Sequence, residues 1–85
     1  MKWAEIKMQY PNKFILIGDI IEDMISITQS KILGGTVLKV SENAKEIREA
    51  YLQEKKQGKE VLYSIPSTPE EFFVENLPYK GKINI

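Results

Sequence analysis

Trp3, Ile6 and Tyr10 recur at intervals of three and four residues, with Lys2, Glu5 and Gln9 outside that stripe. The spacing predicts a short amphipathic helix over residues 2–9. A helix this short is not stable alone and has to dock on an apolar surface. Pro11 ends it, because proline disfavours helical backbone at the preceding Tyr10 and lacks the N–H that a helix interior needs. Asn12 suits the turn that follows. Phe14-Ile15-Leu16-Ile17 is then an unbroken apolar run, as in a strand covered on both faces.

This first strand extends to Ile21, with an interruption at Gly18-Asp19. Residues 20–28 carry two patterns. Ile20, Ile21, Met24, Ile25 and Thr28 fit a helical stripe, whereas Ile25 and Ile27, flanked by Ser26 and Thr28, alternate as in a strand. Six isoleucines between residues 15 and 27 favour strand. The preferred reading is a long irregular hairpin, with an acidic bend near Glu22-Asp23, a loop near Gln29-Ser30 and a second strand over 31–40. A helix at 20–28 would instead give a βαβ unit with a parallel sheet. Gly34-Gly35 within the second strand predict a bulge or a close backbone approach. Thr36 to Val40 then alternates polar and apolar, except at Leu38.

Residues 41–57 predict the main helix. Ser41 or Asn43 can cap it, and Glu46 follows Asn43 by three residues as in a capping box. Ala44, Ile47, Ala50 and Tyr51 form its apolar stripe, and Gly58 is placed to stop it. Glu60 to Ile65 alternates as a third strand, with Val61, Tyr63 and Ile65 on one face and Leu62 on the other. Pro66 ends that strand. Thr68-Pro69-Glu70-Glu71 has the form of a helix start and predicts a single helical turn through Phe72 and Phe73.

Together these elements predict one α+β domain over residues 1–85, with residues 74–85 as an extended C-terminal tail. The order is α-β-β-α-β: a mainly antiparallel sheet of about three strands with the helices packed on one face. The connection from the second strand through the main helix to the third is right-handed if those strands are parallel in one sheet. A domain of 85 residues buries a modest fraction of its surface.

Composition removes several function classes. Lysine plus arginine equals aspartate plus glutamate, and the two halves are nearly balanced as well. Arg48 is the only arginine, so the usual bidentate reader of phosphate and guanine is almost missing. The basic cluster Lys55, Lys56 and Lys59 sits at a helix C-terminus, where the dipole already favours cations; a weak nucleic-acid-binding module built on it is the least favoured reading. The chain has neither histidine nor cysteine, which excludes Cys–His and Ser–His–Asp nucleophilic sites within it. No apolar run approaches the ~20 residues of a transmembrane helix, and the first residues lack the pattern of a signal peptide. The expectation is a cytoplasmic protein.

Asp19, Glu22 and Asp23 are the one oxygen-rich cluster. Such a cluster can hold Mg²⁺ or Ca²⁺, which keeps a metal-dependent hydrolase or phosphoryl-transfer enzyme as an alternative. The spacing does not match a Ca²⁺ loop, and a solvated bend is the simpler reading. Gly34-Gly35-Thr36 lacks the spacing and the following lysine of a phosphate loop. No cofactor and no metal site are therefore expected, and the chain is read as a non-enzyme. Phe72 and Phe73 cannot both face inward on a short helix. Core for both is slightly preferred, but one exposed member would mark a contact surface. Phe72, Phe73, Leu77 and Tyr79 are the candidate protein interface.

The opening Trp3-x-Glu5-Ile6, then Tyr10-Pro11-x-Lys13-Phe14, followed by Gly35-x-Val37-Leu38, a helix carrying Tyr51 and Val61-Leu62-Tyr63, resembles a group of small bacterial proteins of about this length. No activity is assigned to that group, and its genes often stand beside one for a retropepsin-like aspartic-protease domain. The resemblance implies a protein partner or a regulatory pairing within a bacterial two-gene pair. With the small size and open sheet edges, it leads to the expectation of a non-catalytic interaction or regulatory domain that forms a homodimer.

Overall fold

A computed structural model describes residues 1–75. Along these residues run α1 (Trp3–Gln9), β1 (Phe14–Met24), β2 (Gln29–Ser41), α2 (Ala44–Lys56), β3 (Leu62–Ser64) and β4 (Phe72–Glu75). The strands form one antiparallel sheet in the order β3-β1-β2-β4. The fold is α+β as expected, with four strands where about three were expected. β2 and β3 are parallel to each other with β1 between them, and α2 makes the crossover.

The turn before β1 follows from its residues: Asn12 takes up left-handed backbone at φ 60° directly after Pro11. Ile15, Leu16 and Ile17 are all almost completely buried, although successive residues of a strand point to opposite faces. Ile15 and Ile17 join Trp3 and Ile6 of α1, Ile32 and Phe72 in one cluster. Leu16 joins Ile47 of α2 and Val61 in another, with Phe14, Ala50 and Tyr51 against it. The two helices therefore lie on opposite faces of the sheet, not on one. A strand apolar on both faces needs a cover on each.

The sheet pairing explains the glycines and the break in alternation. Leu16 pairs with Lys39 and Ile17 with Val37, so Leu38 is an extra residue in β2. It sits in a β-bulge, which accounts for its place out of the alternating pattern. Leu33 is extra in the same way between Ile32 and Gly34. On β1 the extra residue falls at Asp19-Ile20, with Asp19 at φ 46°. Gly34 lets the start of the chain lie across β2: Lys2 bridges to it, and Gly35 N–H donates to Met1 O at 2.9 Å. A Cβ at Gly34 would stand 2.1 Å from Met1 O.

Glu22 and Asp23 are not at a bend. They pair with Ile32 and Lys31 inside the ladder, and Gln29 and Ser30 are strand residues too. The hairpin turns later, at Ile25 to Thr28, where Ile25 and Ser26 N–H groups donate to Gln29 O and Thr28 N–H donates to Ser26 Oγ. Hydroxyl side chains can make such a turn without glycine. At α2, Asn43 Oδ1 accepts from Lys45 N–H at 2.9 Å, while Ser41 Oγ accepts from Asn43 N–H and donates to Glu46. Gly58, at φ 81°, ends the helix: its N–H donates to Lys55 O, and Lys59 N–H donates to Glu54 O.

The expected helical turn at Phe72-Phe73 is instead β4. Thr68 is already used: its Oγ1 accepts from Ile65 N–H and its own N–H donates to Ile65 O, closing a turn. Residues 65–71 then cross beneath α1, where Trp3 Nε1 donates to Pro69 O at 3.0 Å and Lys7 Nζ donates to Thr68 O. That crossing delivers Phe72–Glu75 to the outer edge of β2. Residues 74 and 75 of the expected tail belong to this strand, and the remainder lies outside the described residues.

Replacing Gly34 by alanine should destabilise the domain by about 1–3 kcal/mol, because the N-terminal backbone has to move off β2; urea denaturation of Gly34→Ala checks this. The exposed pair Lys13–Glu42 fastens the start of β1 to the β2–α2 connection. The hydrogen bond from Lys13, and then its charge, hold the Glu42 carboxyl below the ordinary glutamate value. Its contribution is present above that ordinary value and is lost as pH falls through the lowered one. In Lys13→Met, an NMR titration should show the Glu42 midpoint move up.

Candidate interaction surfaces

On its β1 side, the distal end of the β1–β2 hairpin extends past its supporting strand. β3 pairs with β1 only at Ile15–Ile17, and β4 pairs with β2 only at Gln29–Ile32. Between them the hairpin presents Ile21, Met24, Ile25 and Ile27, all more than half exposed. Ile27, at the turn, is 75% exposed. Apolar residues scattered singly over a surface need no explanation, but four exposed within seven residues crowd one end of the hairpin.

Phe73 adjoins this end. Strand alternation separates it from Phe72. Phe72 enters the core at 9% exposure, with its ring 5.0 Å from that of Trp3 and tilted by 54°. Phe73 points to the other face at 41% exposure, in one cross-strand row with Lys31 and Asp23. Lys31 Nζ lies 6.0 Å from the Phe73 ring, in cation–π range. Of the expected interface residues, Phe73 is thus at the surface and Phe72 is not, because the segment is a strand and not a helical turn. Leu77 and Tyr79 lie outside the described residues.

A second surface lies between α2 and β2. It is a groove of about 520 Å³ with Leu16 and Leu38 at its base, and with Glu46, Glu49 and Ala50 on the helix side. It continues into a second hollow of about 460 Å³ through the shared Leu38 and Glu54. There Glu54 pairs with Lys59 at 3.4 Å.

Asp19, Glu22 and Asp23 do not converge. Asp19 is in the bulge, and Glu22 and Asp23 are successive strand residues that point to opposite faces. Among the described residues no three histidine, cysteine, aspartate or glutamate side chains are grouped to hold a metal ion. Of the three lysines at the end of α2, Lys59 is held by Glu54, and Lys55 lies 5.7 Å from the Tyr51 ring. Tyr51 in turn stacks on Tyr63 at 5.1 Å. Among the described residues no helix is long and apolar enough to cross a membrane.

The hairpin patch was not among the expected site residues. Its signal was present: an isoleucine-rich segment too long for two short helices to cover. The groove had no local signal, because its two walls are far apart in sequence. No family model matches the chain, and neither a curated protein nor a solved structure matches it.

The neighbouring phenylalanines should behave differently on truncation. Phe72→Ala should cost about 3–5 kcal/mol through the lost contacts with Trp3 and Ile32. Phe73→Ala should change stability by less than about 1 kcal/mol. Parallel chemical denaturation of the two variants measures the contrast.

Proposed function

We propose that this chain is a non-catalytic protein-interaction or regulatory domain that self-associates as a homodimer. The observation that supports it best is the exposed apolar end of the hairpin, at Ile21, Met24, Ile25 and Ile27. Covering such a patch removes apolar surface from water, at roughly 25 cal/mol per Å². The neutral chain sets no long-range repulsion against a second copy. The short edge strands β3 and β4 leave backbone groups on which another chain can pair. The resemblance of the opening and strand motifs to small bacterial proteins supports a cytoplasmic role in a two-gene pair, with the neighbouring gene product as a natural second partner.

Light scattering on the purified chain should give twice its mass of 9.8 kDa. Met24→Lys combined with Ile27→Lys should return the protein to a monomer with an unchanged circular dichroism spectrum, since both side chains are exposed. A wild-type chain that stays monomeric at high concentration and captures no protein from its native host overturns the reading.

A further inference from the structure

The groove between α2 and β2 carries charge that the ion pairs among the described residues do not neutralise. Glu46, Glu49, Glu54, Asp19 and Glu60 line its two halves, against Lys39 and Lys59. Among the described residues the ion pairs are Lys13–Glu42 and Lys59–Glu54. Glu49, Asp19 and Glu60 take part in neither. The whole chain is neutral, so this acidic excess is local. Between the acids Leu38 presents an exposed apolar side chain, with the buried Leu16 and Val61 behind it.

The groove also borders an open strand edge. The outer side of β2 is taken by β4 at Gln29–Ile32 and by Lys2 at Gly34. From Thr36 to Ser41 no described strand lies beside it. An unpaired edge next to a helix offers main-chain hydrogen bonds to an extended segment, and the adjoining side chains supply selectivity. The bulge at Leu38 interrupts this edge, which suits a short segment and disfavours the addition of a long sheet.

We propose that this groove binds a short extended segment of a partner protein, with lysine or arginine on both sides of an apolar residue. The apolar residue covers Leu38, which is 44% exposed. One flanking cation meets Glu49, and the other meets the Asp19 and Glu60 end. Nucleic acid is disfavoured, because its phosphates would face carboxylates. A second copy offers no matching described segment, since its adjacent Lys55 and Lys56 are in a helix. The groove is separate from the hairpin patch, so this inference does not rest on self-association.

Panning a random decapeptide library on the full chain tests it, followed by NMR titration with the enriched peptide. The expected consensus has lysine or arginine flanking an apolar residue and lacks acids. The expected shifts fall on amides 36–41 and 46–54. Glu49→Lys, at an exposed helix position, should weaken binding about tenfold, and added salt should weaken it too. Met24→Lys with Ile27→Lys should leave it unchanged, which separates this result from the oligomeric state. Absence of a consensus, an acidic consensus, shifts confined to the hairpin end, or equal binding by Glu49→Lys overturns the proposal.

Discussion

The fold depends on one constraint, the two-sided burial of Ile15-Leu16-Ile17 in β1. Successive residues of a strand point to opposite faces, so the sheet has to be covered twice. α1 and the crossing segment 65–71 supply one cover, and α2 supplies the other. Burying three such side chains contributes about 5–9 kcal/mol, of the order of the whole net stability of a small domain. That scale explains why a seven-residue helix, too short to form alone, is held in place. Trp3 and Ile6 complete the core that Ile15 and Ile17 begin.

Local chemistry was legible wherever the cause was local. Pro11 and Asn12 ended α1 and opened β1, Asn43 capped α2, and Gly58 stopped it. Even the irregularity at Leu38 was visible as a break in alternation, and the structure shows the bulge that produces it. What sequence pattern missed was decided at a distance. Thr68-Pro69-Glu70-Glu71 resembles a helix start, but Thr68 closes a turn on Ile65, and an open β2 edge takes the next residues as a strand. Tertiary pairing overrode local propensity there. The placement of the helices on one face failed for a similar reason: periodicity reveals that a residue is buried, but not by which partner.

The same constraint creates the surfaces. The covers are short: β3 reaches only Ile15–Ile17 of β1, and β4 reaches only Gln29–Ile32 at the far end of β2. On its outer side β1 runs on from Gly18 to Met24 with no described strand beside it. The β-branched isoleucines suit this extension, which is paired with β2 as far as Met24–Ser30. Of the expected cluster of acids, Glu22 and Asp23 were carried into this ladder and so separated from each other across the sheet.

Bulges and glycines then give the two ends of the hairpin different characters. Near α2, Gly18 makes room for Leu38, since a Cβ there would stand 2.8 Å from Leu38 Cδ1. Leu38 is thereby held over the sheet at the base of an acidic groove. At the distal end the exposed apolar side chains stand beside Glu22 and Asp23 on the hairpin itself, with no described helix wall facing them. An apolar patch on a neutral chain favours association through area and is nearly insensitive to salt. A groove with unpaired carboxylates selects by charge, so its occupancy weakens as ionic strength rises. The two contacts proposed for this small domain thus use different residues and different driving forces.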